Sequence, residues 1–252
     1  MRLTTLGTGT IALVPERVRA GHLVEAGEVR LLLDCGSGIV QRLAAHDWMS
    51  ITHVALSHFH ADHVGDLPTL IFAWRHGRLP ARSEPVEIIG PPGTRDLVER
   101  LAAAFGSWLV DPGFPLTVRE LPPGEAAVIG GESGFRVEAR KVPHTDESVA
   151  YSVERGGRRI VYTGDTGFDE TLGGWAEGTD VLLCECSLPE SMAVPTHLTP
   201  RECGLIAARA APGLLVLTHF YPPVERVDVR AEVGEHFPGR VVLASDGWSH
   251  EL

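Results

Sequence analysis

Lysine is nearly absent from this chain: Lys141 is its single example in 252 residues. Arginine supplies the rest of the 22 basic side chains, against 33 acidic ones, so the formal net charge is −11 with histidine neutral. A chain of this charge repels nucleic-acid phosphates at long range, which disfavours broad capture of DNA or RNA but leaves room for a local basic patch. Cysteine is scarce too. Cys35, Cys184, Cys186 and Cys203 are not spaced as a disulfide framework and form no CxxC pair, which points to a reducing, cytoplasmic setting. No window approaches the ~20 apolar residues of a membrane helix. The opening MRLTTLGTGTIALVPERV lacks the apolar stretch of a secretory leader. Cytoplasmic localisation and no membrane partner are therefore expected.

What is present is a regular punctuation. The hydrophobic fraction of 44% suffices for a sizeable core, and the length fits one domain over 1–252. Short β-branched or apolar runs, among them MRLTTL, VRLLLD, ITHVALS, FRVEARKV, RRIVYTG, DVLLCE, LLVLTH and RVVLAS, read as strands bounded by Gly, Pro and Asp. EAGE and ERGGR read as hairpin turns. Fewer segments read as helix: GIVQRLAAH, TRDLVERLAAAF with Thr94 as N-cap, a short helix starting near Leu67, and TPRECGLIAARAA. The last has Thr199, Pro200 and Glu202 placed for a capping box. Strands interleaved with a few helices, without strict βαβ alternation, imply two sheets covered by outer helices. Residues 74–85 and 105–115 read as loops able to border a site.

Histidine is concentrated. SHFHADHVGDLP places His58, His60, Asp62 and His63 directly after the apolar end of a strand. The H-x-H-x-D-H pattern arises by chance in about one chain in a thousand of this composition, so a solvated His-rich loop is the weaker reading. His58 and His60 point the same way from extended backbone, and Asp62 and His63 follow from the turn. Imidazole with carboxylate suits Zn²⁺, with Mn²⁺ or Fe also compatible. Four groups cannot complete two metal sites. Three more strand ends present a candidate: His144 in ARKVPHTD, Asp165 in RRIVYTGDTG and His219 in LLVLTHFYPP.

With LGTGT, LLLDCGSG, IIGPPGT, VYTGDT, DVLLCECS and THLTP added, the chain resembles the metallo-β-lactamase superfamily of dinuclear metal hydrolases over most of its length. GPPGT, CECS and THLTP make it similar to the ribonuclease Z-like phosphodiesterases within it. The resemblance implies an α/β (α+β) fold built as a four-layer αββα sandwich. It implies two divalent metal ions, one held by His58, His60 and His144, the other by Asp62, His63 and His219, with Asp165 bridging. Asp62, Glu185 and His197 are the implied catalytic residues. Glu185 would orient an imidazole at His197 that protonates the leaving oxygen while a metal-bridging hydroxide attacks. The alternative makes Glu185 a structural hydrogen-bond partner and His197 a surface residue.

The tRNA-cleaving members that carry a flexible arm usually insert it between the third His motif and the bridging Asp. Here residues 145–164 fill that interval with one hairpin. A small phosphodiester is therefore the expected substrate and RNA the disfavoured one. A lactone or ester hydrolase, a tRNA 3′-processing endoribonuclease and a non-catalytic metal-binding scaffold remain as alternatives, and a homodimer is expected by resemblance. The remaining histidines read as structural or exposed. Cys184 and Cys186 read as buried packing and Asp34 as support near the site. Arg75, His76, Arg78 and Arg82 read either as contacts to a substrate phosphate or as a solvated loop.

Overall fold

The computed structural model describes residues 1–131 and 134–252. Its first half runs β1 (Arg2–Gly7), β2 (Gly21–Ala26), β3 (Val29–Leu33), α1 (Ile39–Leu43), β4 (His53–Ala55), α2 (Ala61–Val64), α3 (Leu67–His76), β5 (Val86–Gly90), α4 (Thr94–Phe105) and β6 (Leu116–Glu120). The second runs β7 (Ala126–Ile129), β8 (Phe135–Lys141), β9 (Val149–Arg155), β10 (Arg158–Tyr162), α5 (Glu170–Trp175), β11 (Val181–Glu185), α6 (Pro200–Ala210), β12 (Leu214–Thr218), α7 (Val229–Gly234), β13 (Val241–Leu243) and β14 (Trp248–Glu251). These strands form two seven-stranded sheets, ordered β14-β1-β2-β3-β4-β5-β6 and β13-β12-β11-β10-β9-β8-β7.

The period of two along each strand sorts its side chains between layers. Leu31 and Leu33 join a core between the sheets, with Val137, Tyr151, Tyr162 and Val216 from the facing sheet. Leu32, between them, faces outward to pack with Ile39, Leu67, Leu70 and Trp74. On the opposite outer face Leu182, Cys184 and Leu215 pack against Cys203, Ile206 and Val233. The result is helix, sheet, sheet, helix, the αββα sandwich expected. Both hairpins form: Ala26 pairs with Val29 and Arg155 with Arg158. Gly156 and Gly157 hold φ of 58° and 75°, the left-handed backbone that a two-residue turn of this twist requires.

The two parallel regions, β3-β4-β5-β6 and β10-β11-β12-β13, place the ends of β4, β10, β11 and β12 at one edge. The α6 capping box is present: Thr199 caps Glu202 and Glu202 returns to Thr199. Thr94 does not cap α4. Gly93 occupies that position at φ 100°, and Thr94 is the first helical residue, its hydroxyl donating to Pro91 O at 2.7 Å. The 74–85 and 105–115 segments are only partly loop. Trp74 to His76 finish α3, and Ser107–Leu109 form a 3-10 turn after α4. The phosphate contact considered for the basic loop is overturned at Arg82. Its guanidinium is buried and donates to carbonyls of Met49, Ile51, Glu84 and Pro85, at the edge where β4 begins rather than where it ends. Arg75 donates to Asp111 O and thereby ties the two segments together.

Candidate metal centre

β4 ends at Ala55, and the chain then delivers its histidines in quick succession. His58 is fully buried, its Nδ1 3.0 Å from Ser57 Oγ. His60 is extended and opens α2, whose first turn carries Asp62 and His63. The other sheet brings His144 beyond β8, Asp165 beyond β10 and His219 beyond β12. Seven side chains that span residues 58 to 219 therefore converge on one place.

The donor atoms fall into two groups about Asp165. Its Oδ2 lies 3.8 Å from Nε2 of His58 and 3.8 Å from Nε2 of His144. Its Oδ1 lies 3.2 Å from Nε2 of His63 and 3.3 Å from Nε2 of His219. Nδ1 of His60 faces Nε2 of His144 at 3.1 Å, and Asp62 Oδ2 stands 3.6 Å from Nε2 of His219. His58, His60 and His144 thus make one close cluster and Asp62, His63 and His219 another.

These donors fit a pair of cations. His144 Nδ1 meets Thr196 O at 2.8 Å and must carry the proton there, so its Nε2 turns a lone pair toward His60. His63 Nδ1 meets Asp34 Oδ2 at 2.8 Å, which leaves its Nε2 facing that of His219 at 3.4 Å. Nitrogen pairs 3.1 and 3.4 Å apart have the spacing that two ligands of one zinc ion take. His58 Nε2 and Asp165 Oδ1 are buried with no hydrogen-bond partner among the described residues, a costly arrangement for protein alone.

The local field agrees. Burial alone would raise Asp165, but His219 and His63 hold its carboxyl well below the usual range. Burial would also raise Asp62, and the nearby His219 and His63 outweigh it downward. Burial opposes charge on His63, yet Asp165 and Asp34 lift it well above the ordinary histidine value. His58 and His144 are depressed, first by burial. A site that keeps carboxylates ionised among closely packed imidazoles is one prepared for positive charge.

A second layer fixes the geometry of these donors. Asp34, fully buried at φ 59°, accepts from Ser57 N, Ser57 Oγ, His63 Nδ1 and Tyr162 OH at 2.7–2.8 Å. The support role expected for Asp34 has this concrete form. Glu185 ends β11 and is buried. Its Oε1 and Oε2 lie 3.1 and 3.2 Å from His197 Nδ1, and Oε1 accepts from Thr166 N at 2.5 Å. Burial would lower the His197 pKa, but the hydrogen bond and charge of Glu185 raise it to about 9. Cys184 and Cys186 point away from Glu185 into the outer core, and Cys203 Sγ donates to Glu185 O at 3.0 Å.

Two residues at the site carried no expectation from the sequence. Ser187 donates to Glu185 Oε2 and lies 3.1 Å from His219 O and 3.0 Å from His219 Nδ1, so it links the Glu185 pair to a histidine of the cluster. Tyr221 stands edge-on to His197 and His219, with ring centroids 6.0 and 6.2 Å away. Both follow a site residue by two positions, and that spacing was the available signal.

The fold and the donor set define a dinuclear metal-hydrolase architecture. A family model described as the beta-lactamase superfamily domain matches residues 29–220. A ribonuclease Z from Mycobacterium bovis is 30% identical over 275 aligned residues, covering 98% of this chain and 96% of its own. The structure of human tRNase Z, short form, aligns at 25% identity and TM-score 0.79 over 100% of this chain and 99% of that one. The metallo-beta-lactamase fold protein YhfI from Bacillus subtilis aligns at TM-score 0.86 and 24% identity, covering 99% and 98% of the two chains. The chain belongs to the metallo-β-lactamase superfamily, in its ribonuclease Z-like branch. Among the described residues, no helix is long and apolar enough to cross a membrane.

Proposed function

We propose that this chain, as one hydrolase domain, is a dinuclear zinc-dependent phosphodiesterase acting on small diesters. His58, His60 and His144 would hold one ion, Asp62, His63 and His219 the other, and Asp165 would bridge them. Nitrogen donors with carboxylates favour zinc, and manganese or iron would also be accepted. When bound, such a pair supplies an activated water and neutralises charge on the phosphoryl oxygens.

The chain's own residues do the rest. Glu185 engages His197 Nδ1, so the proton available to a substrate sits on Nε2. With a pKa of about 9, His197 holds that proton at neutral pH and can deliver it to a departing alkoxide. The observation that carries the reading is this pair beside the cluster: a buried carboxylate 3.1 Å from an imidazole whose ring centroid lies 4.8 Å from that of His144. An activated ester needs no such proton donor, whereas an alkyl diester does.

RNA is the less favoured substrate. The interval between His144 and Asp165 is filled by the β9–β10 hairpin, and the net charge of −11 opposes a polyanion. The test is a panel on zinc- or manganese-loaded protein: bis-p-nitrophenyl phosphate, a cyclic nucleotide, an acyl-lactone and a precursor tRNA. Hydrolysis of the two small diesters is expected. Turnover of the lactone alone would replace the reading by an ester hydrolase, and selective tRNA cleavage by a processing nuclease. Protein that retains no transition metal and gains no activity from added zinc or manganese would favour a scaffold.

A further inference from the structure

We propose that Tyr221 determines leaving-group specificity, its ring forming a seat for alcohols that carry a flat aromatic group. This rests on the reading of His197 as proton donor. A leaving oxygen must come within hydrogen-bond reach of His197 Nε2. The carbon framework attached to that oxygen then lies against whatever borders the imidazole. On one side stand His144 and His219, with centroids 4.8 and 5.7 Å away. The Tyr221 ring borders the imidazole too, at 6.0 Å and inclined 73°.

Tyr221 is held where it stands. Its N–H donates to Ser187 O at 3.2 Å, its carbonyl accepts from Val224 N at 3.1 Å, and Pro222 and Pro223 stiffen the chain after it. Its neighbour Phe220 donates its N–H to Thr8 O at 3.0 Å, and the Thr10 hydroxyl of the same loop accepts from Ala12 N at 3.2 Å. The Tyr221 position is therefore joined to the loop after β1, which exposes Ile11 and Leu13 at 53% and 80%. On the segment leading into His197, Met192 and Val194 are exposed as well. An aromatic ring fixed beside the proposed proton donor suits a flat, apolar group. Of the two arginines on this loop, Arg17 is already paired with Glu225 at 2.8 Å.

The test is an internal competition. Methyl 2-phenylethyl phosphate can release methanol or 2-phenylethanol, and the ratio of the two alcohols reports which ester group sat beside His197. The ratio does not depend on the amount of active protein. The metal-loaded wild type is expected to release mainly 2-phenylethanol. Tyr221→Ala should lower the ratio about tenfold, the scale of one aromatic contact, with metal content unchanged. Tyr221→Phe should keep most of it, because the ring remains. An unchanged ratio in Tyr221→Ala, or a wild-type ratio near one, overturns this inference alone. A wild type that opens a lactone but cleaves neither bond of the diester overturns the phosphodiesterase reading, and this inference with it.

Discussion

At the scale of single residues, the pair Glu185 and His197 turns an ordinary imidazole into one that keeps its proton. A raised pKa means that the proton is present below about 9 and lost as pH climbs through that value. Turnover of an alkyl diester should therefore fall across that range. Glu185→Gln removes the negative charge that helps to raise the value and leaves only a neutral acceptor. The falling limb should then move toward the ordinary histidine pKa of about 6.5. His197→Ala should slow alkyl diesters by about 10²–10⁴, with little loss on bis-p-nitrophenyl phosphate, whose leaving group departs unprotonated. Equal losses on both substrates would remove the proton-donor role. Asp34 acts on the other side of the cluster. Asp34→Asn can no longer accept at both oxygens, and an NH₂ group at the Oδ2 position, where Ser57 Oγ, His63 Nδ1 and Tyr162 OH converge, would cost the His63 ring its anchor. Zinc affinity, read by competition with a chelator of known strength, should weaken by about 10–100-fold. An unchanged affinity in a folded variant would show that Asp34 does not orient the ligand.

At the scale of elements, β2 carries an unusual core residue. His22 pairs with Thr5 and Leu33 and packs edge-on against Tyr162 at 5.0 Å. Both its ring nitrogens are buried without a hydrogen-bond partner among the described residues. Burial, then the nearby His63 and His219, lower its pKa to about 3. A depressed base binds fewer protons folded than unfolded, so stability is lost as pH falls below the unfolded value near 6.5. Between pH 7 and pH 5 the wild type should lose about 2 kcal/mol more stability than His22→Leu, both without metal, by urea unfolding. Parallel pH profiles would mean that His22 titrates normally in the folded chain.

The same element scale shows what the sequence made legible. Apolar runs such as VRLLL and LLVLT identify strands because burial on both faces leaves no other use for them. The two strands not anticipated, AAVI at Ala126–Ile129 and WSHE at Trp248–Glu251, are short and half-exposed. Their pairing partners, rather than their own pattern, make them strands. The positions proposed as metal ligands stood out because each follows a strand end, where a polar residue is conspicuous. Glu185 with His197 was legible only through the resemblance, since nothing local in CECS or THLTP says that the two will meet. Arg82 was misread because a basic loop looks solvated until its carbonyl partners, distant in sequence at Met49 and Ile51, are known.

At the scale of the whole molecule, the proposed metal centre also joins the two sheets. His58, His60, Asp62 and His63 come from the first sheet, and His144, Asp165 and His219 from the second. No short segment of unfolded chain reproduces that set, so cations taken up there bind the folded state in preference to the unfolded one. Each site then contributes RT ln(1 + [M]/Kd), about 4 kcal/mol when free metal is a thousand times Kd. For a chain of this size one kcal/mol moves the unfolding midpoint by about 2–4 °C. Excess chelator should therefore lower the midpoint by roughly 10 °C or more relative to saturating zinc. The shift should grow with the logarithm of free zinc and shrink in His144→Ala, which leaves one cluster short of a donor. Identical midpoints in chelator and in zinc would mean that no cation bridges the sheets, and the convergence of seven side chains on Asp165 would need another explanation.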